Sequence, residues 1–125
     1  MARTDVPLSV LVGNGSLADP AGTTIDATND HSIGVAATHP EEIIIRVTNT
    51  HSSDHTVTIK AGGTNPPAWR GGQGDLTATV TATTGVTWIG PLSSSRFLQS
   101  GNVLNVDIEA AHTGKITAFK VPRGT

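Results

Sequence analysis

The sequence predicts an all-β fold, an antiparallel β-sandwich or jelly-roll-like barrel of about eight short strands. Two observations carry that expectation. Apolar and polar residues alternate with period two along most of the chain, and no useful length repeats with the roughly 3.6-residue period of a helix. Clusters of Gly, Asn, Asp, Ser and Pro punctuate the alternation about every 8–12 residues, as turns do in sandwiches. Composition adds a third. Aromatic residues are 3% of the chain and Tyr is absent, so the core rests on Ile, Val and Leu, with Trp88 and Phe97 as large fillers.

The elements follow from that pattern. Pro7 to Val12 is a first candidate strand, stopped by Gly13-Asn14-Gly15 and a Gly/Asn/Asp/Pro-rich stretch through Ala21. A weak strand covers Thr23 to Ala27, and another covers Ser32 to Ala36, ending before His39-Pro40. The clearest strand is Glu42 to Thr50, with Ile43, Ile45 and Val47 on one side and Ile44, Arg46 and Thr48 on the other. Its Ile43-Ile44-Ile45 run suggests burial on both faces, in the middle of a sheet or against a neighbour. His51 to His55 turns the chain into Thr56 to Ala61, which the pattern predicts as a hairpin partner with Val57 and Ile59 inward.

The loop Gly62 to Asp75 contains Pro66-Pro67, Trp69 and three glycines, Gly71, Gly72 and Gly74. Leu76 to Ala82 then alternates Leu76, Ala78 and Val80 against Thr77, Thr79 and Thr81. Val86 to Ile89 follows, with Trp88 expected in the core, and Pro91 marks a corner. Ser95 to Gln99, a Gly101-Asn102 turn and Val103 to Glu109 read as a second hairpin with a two-residue loop. Leu104, Val106 and Ile108 face in, and Lys115 to Val121 closes the fold before Pro122.

At 125 residues the chain can bury a real core. The division read from it is a flexible N-terminal arm, residues 1–7, and a single β-sandwich domain, residues 8–125. With no cysteine, disulfide scaffolds, thiol catalysis and thiolate zinc sites are excluded. A net charge of -2 argues against nucleic acid as a partner. Neither an export signal nor a membrane span fits the start of the chain, so the expectation is a protein kept in the cytoplasm where it is made. Charged residues make up 14% of the chain, against about 25% in an average globular protein. The surface is therefore Thr, Ser, Asn, Gly and small apolar groups, which lose little rotamer entropy when buried against a partner.

Catalytic chemistry has little to stand on. His51 and His55, with Asp54 between them, could fold two imidazoles around a metal, but polar residues of this kind also cap turns. No serine sits in a nucleophile elbow. Glu41 and Glu42, and Asp107 and Glu109, are carboxylate pairs without the apolar cleft that general acid work needs. Gly71-Gly72-Gln73-Gly74 lacks the helix that would complete a phosphate loop. The expectation is a protein that is not an enzyme, with no catalytic residue, no cofactor and no metal. Trp69 and Arg70, beside Pro66 and Pro67, are residue types that anchor interfaces, though for Trp69 the favoured reading is that it folds back as a lid on the sandwich.

From about Ile43 to Arg123 the order of features carries a family likeness. It runs Val47-Thr48-Asn49-Thr50, Val57-Thr58-Ile59-Lys60-Ala61-Gly62, Gly72-Gln73-Gly74-Asp75-Leu76, Ile89-Gly90-Pro91-Leu92 and Ser95-Arg96-Phe97, and closes on Ile116 to Arg123. In layout and texture this resembles the small head-decoration, or capsid cement, proteins of tailed bacteriophages. The resemblance implies a non-enzymatic virion structural protein on the capsid exterior, assembled in the host cytoplasm. It implies as partners the major capsid protein, whose neighbouring subunits it bridges, and further copies of itself, as a homo-trimer or other homo-oligomer. Many copies on a symmetric lattice make weak single contacts sufficient.

The candidate partner contacts are Arg3, Val6 and Leu8 at the N-terminus, and Pro66, Pro67, Trp69 and Arg70 in the long loop. On this reading, removing Met1 to Pro7 weakens assembly and leaves the fold stable. A tail or head-fibre component of a virion is an alternative, and a carbohydrate- or ligand-binding β-sandwich module using Trp69 and Trp88 is another.

Overall fold

In chain order the strands are β1 (Thr4–Asp5), β2 (Leu8–Val10), β3 (Thr23–Thr24), β4 (His31–Gly34), β5 (Ile43–Asn49), β6 (His55–Ile59), β7 (Leu76–Val80), β8 (Gly85–Ile89), β9 (Val103–Ile108) and β10 (Lys115–Lys120). They belong to a computed structural model that describes residues 2–36, 38–62 and 71–122. The first sheet has the order β1-β4-β9-β6-β7; the second has β2-β10-β5-β8, with β3 also on β10.

The pairing explains the architecture. The antiparallel partners are β3 with β10, β4 with β9, β5 with β8 and β6 with β7. They are nested, first with last, as in one long hairpin. Rolling that hairpin up brings β10 beside β5 and β6 beside β9, which is the wiring of a jelly roll. The two remaining strands lie outside the roll: β1 runs parallel to β4 and β2 runs parallel to β10. The all-β sandwich expected from the alternation is therefore present, and the N-terminal pairings make both its sheets mixed.

Four expectations need correction. The N-terminal segment is tied into the fold rather than a free arm, because Thr4–Asp5 pair with β4 and Val6 is 1% exposed. Pro7 lets the chain leave the first sheet and enter the second. The turn at His51–Asp54 does not make a hairpin, since β5 and β6 lie in opposite sheets. Alternation fixes which residues face inward, but both sheets face the same interior, so it cannot assign a strand to one of them. Ser95 to Gln99 is not a strand either. Ser94–Phe97 forms one helical turn, α1, that buries Phe97, and Gln99 alone bridges to Val103. The carboxylate of Glu41 accepts hydrogen bonds from both the backbone N–H and the hydroxyl of Ser94, which supports the start of that turn. The fourth, Trp88, is taken up with the surface that it forms.

The core lies between the inner faces of the sheets. Ile43, Ile45, Val47, Ile59, Leu104 and Ile116 are all fully enclosed, each contributing about 1.5–3 kcal/mol over an exposed side chain. β5 is a central strand, flanked by β10 and β8. Ile44 is half-buried on its outer face, so the triple-Ile run does mark a strand with apolar surroundings on both sides. The segment after β2 lies over part of the same outer face. It starts beside Lys120, where Leu11 N–H bonds to the Lys120 carbonyl, and returns to β3 beside Lys115. It runs so close to β10 that a Cβ on Gly22, at φ +83°, would lie 2.4 Å from Thr117 Oγ1. On the outer face of β10, Thr117 is buried beneath this segment and Phe119 is buried against Trp88 and Arg46.

Candidate interaction surfaces

The N-terminal candidates are built into the sandwich. Arg3 forms an ion pair with Asp107 at 2.6 Å and donates to the carbonyls of His31 and Val106. Val6 is in the core, and Leu8 packs partly against it. Pro66, Pro67, Trp69 and Arg70 lie outside the described residues.

What holds β1 in place is a residue that sequence reasoning passed over. His31 is fully buried; its Nδ1–H donates to the Thr4 carbonyl at 3.1 Å, and its Nε2 accepts the Asp26 N–H at 2.9 Å. Those two bonds fix a neutral imidazole, and burial pushes its pKa below the usual value. Asp26 completes the clasp by accepting from Thr4 Oγ1 at 2.6 Å and from Asn29. These bonds, the one from the Thr4 hydroxyl first, hold the Asp26 carboxyl down to about 2.

The other three buried or half-buried histidines meet at one end of the sandwich. His55 Nδ1 is 2.5 Å from Glu109 Oε1, and His55 Nε2 is 3.0 Å from His51 Nδ1. His112 stacks on His55 with ring centres 5.4 Å apart and donates from Nε2 to the Thr48 carbonyl. Burial, foremost, lowers the His112 pKa. The turn thus does bring His51 and His55 together, but their facing nitrogens are spent on one another. Asp54 is turned away, accepting the Ala82 N–H. Among the described residues no group of three or more His, Asp or Glu side chains is placed to hold a metal ion. The carboxylate pairs are likewise engaged separately: Glu41 with Ser94, Glu42 with Thr38, Asp107 with Arg3 and Glu109 with His55.

Two outer faces remain. On the first sheet, β6 and β7 set Thr56 opposite Thr79 and Thr58 opposite Thr77. Directly opposed residues lie about 5 Å apart and successive ones on a face about 7 Å apart, so the four threonines form a regularly spaced cluster on the outer face. Among the charges around it, Lys60 is paired with Asp75 at 2.7 Å and Asp107 with Arg3, while Glu109 meets the His55 ring. The bond from Lys60 holds the Asp75 carboxyl below its usual pKa.

On the second sheet, β5 and β8 set Arg46 opposite Trp88. Trp88 was expected in the core, but this register puts Ile89 inside, opposite Ile45, and leaves Trp88 58% exposed. Its ring centre is 5.6 Å from that of Phe119, although β5 separates their strands, so the indole reaches across the central strand. The Arg46 guanidinium sits 5.8 Å from the Trp88 ring centre and 5.3 Å from that of Phe119. It is held there by Asp19, by the Pro20 carbonyl at 3.0 Å and by Thr117 Oγ1. No helix of the described residues is long and apolar enough to cross a membrane.

No protein family, curated protein or solved structure matches this chain.

Proposed function

We propose that the protein is a non-enzymatic virion structural protein that decorates the outside of a bacteriophage capsid and stabilises it by bridging neighbouring major capsid subunits. The observation that carries this reading is the hydroxyl face of β6 and β7. Thr56, Thr58, Thr77 and Thr79 form a surface of short side chains beside which Lys60 and Asp107 are paired. Such a face docks with little loss of rotamer entropy and few unpaired charges. The jelly-roll wiring is in keeping with it, since that wiring recurs in capsid proteins, although it also recurs in lectins and cupins and so carries no function by itself. The likeness of residues 43–123 to head-decoration proteins points the same way. Self-association, as a homo-trimer or other homo-oligomer, belongs to the same proposal, because lattice binding gains most from several linked contacts.

The test is solution mass by size-exclusion with light scattering, alone and with purified shells of tailed bacteriophages. A stable oligomer that sediments with shells is the expected result. A strict monomer that stays in solution with every shell overturns the reading.

A further inference from the structure

The outer face of the second sheet, opposite the hydroxyl face, carries a group that lattice binding does not use. We propose that Trp88, with Arg46 and Asp19 beside it, is a stacking platform for the ring of a neutral saccharide. Three properties of the site lead there.

The first is a largely exposed indole on a rigid base. Trp88 is 58% exposed, yet its ring is braced by Phe119, itself 6% exposed, and by the Arg46 guanidinium. Asp19, Pro20 and Thr117 fix Arg46 in turn. A platform ordered in advance loses little entropy when a ligand settles on it. A pyranose presents a face of C–H groups that suits the negative face of an indole.

The second is polar chemistry at the rim. The Asp19 side chain is 77% exposed and spends Oδ1 on Arg46. A carboxylate offers about four acceptor positions, so it keeps several for sugar hydroxyls. An exposed acceptor near an indole suits a ligand that is apolar on its face and carries hydroxyls around its edge.

The third is charge and size. Arg46 and Asp19 cancel, so the site favours neither an acid nor a cation. Val86 and Trp88 are the exposed large apolar side chains of β8; Val10, Val12 and Leu17 are on β2 and the segment after it. One aromatic side chain buries about 150–250 Å², whereas a standard protein interface needs about 800 Å² from each partner. Trp88 alone offers the area on which one sugar ring stacks, whereas a protein partner would have to draw on Val10, Val12, Leu17 and Val86 as well.

The site is independent of shell binding, so the two readings fail separately. The probe is a panel of neutral hexasaccharides (gluco-, xylo-, manno-, galacto- and N-acetylchito-) with heparin as the anionic control. Binding is followed in proton–nitrogen correlation spectra of the labelled protein and by calorimetry. The Trp88 indole signal is assigned by its disappearance in Trp88→Phe. At least one neutral hexasaccharide is expected to shift that signal, and Trp88→Ala to weaken its binding by about tenfold or more. Trp88→Phe, which keeps an aromatic ring, should lose less, and Asp19→Ala should also weaken binding. The proposal is overturned if no neutral sugar binds at millimolar concentration, if only heparin binds, or if Trp88→Ala binds as well as the unaltered protein.

Discussion

The Nδ1–H of His31 donates to the carbonyl of Thr4, so a wholly buried imidazole holds the first strand against the sandwich. The second bond of the clasp, from the Asp26 N–H to Nε2, exists only while Nε2 is unprotonated. The His31–Asp26 half of the clasp therefore depends on one proton being absent.

That dependence sets the response to pH. His31 and His112 both have folded pKa values lowered, mainly by burial, from an unfolded value of 6.5. Below 6.5 the unfolded chain takes up protons that the folded chain refuses. Their contribution is thus complete above that value and is lost as pH falls from it through the folded values. Asp26, lowered from 3.8 to about 2, adds a further loss between those two values. Urea midpoints measured against pH should be level above neutrality and decline below 6.5, with a shallower decline in His31→Gln.

Removing residues 1–7 should destabilise the protein. The deletion takes Val6 out of the core together with the pairing of β1 and the Arg3–Asp107 ion pair. Val6→Ala alone should cost about 2 kcal/mol from the cavity it leaves, measured by chemical denaturation. A truncated protein as stable as the full chain would show that β1 contributes nothing.

Gly85 opens β8 where a Cβ would lie 2.0 Å from the Thr81 carbonyl oxygen. Backbone cannot yield as a flexible side chain can. Gly85→Ala should therefore cost about 2 kcal/mol or more, seen as a lower melting temperature, whereas Gly72→Ala, with open space around its Cβ, should cost far less.

Arg46→Ala should loosen residues 11–22 and leave the core intact. The side chain ties Asp19 and the Pro20 carbonyl to the face of the second sheet. Faster hydrogen exchange should be confined to that segment and β3, with a global cost of about 1 kcal/mol.

Much of the fold was legible because long alternating strands declare their inner faces. β5, β6, β7, β9 and β10 lie where Ile43, Val57, Val80, Leu104 and Ile116 imply. The assignment of strands to sheets was not, since it is set by pairing across the sandwich. Trp88 was misplaced because β8 is apolar in both phases: Val86 and Trp88 on one side, Ile89 on the other. Only the register with β5 decides between them. The N-terminal segment hid in the same way. A single Val between Asp5 and Pro7 gives no periodicity, and its partners lie beyond residue 30. The resemblance could not point to the Thr56–Thr79 and Thr58–Thr77 pairs either, because they are joined across the long loop after β6.

The central claim concerns that hydroxyl face, and it is tested most directly by sedimenting the protein with phage shells in its native form and as the double variant Thr58→Lys, Thr77→Lys. Both side chains lie on the outer face of adjacent strands, so the variant should keep the fold, with a lower melting temperature because its two like charges stand directly opposite one another. The expected result is that the native protein saturates the shells and the double variant stays in solution. Equal binding by the two proteins would contradict the account, and so would a native protein that binds no shell at all.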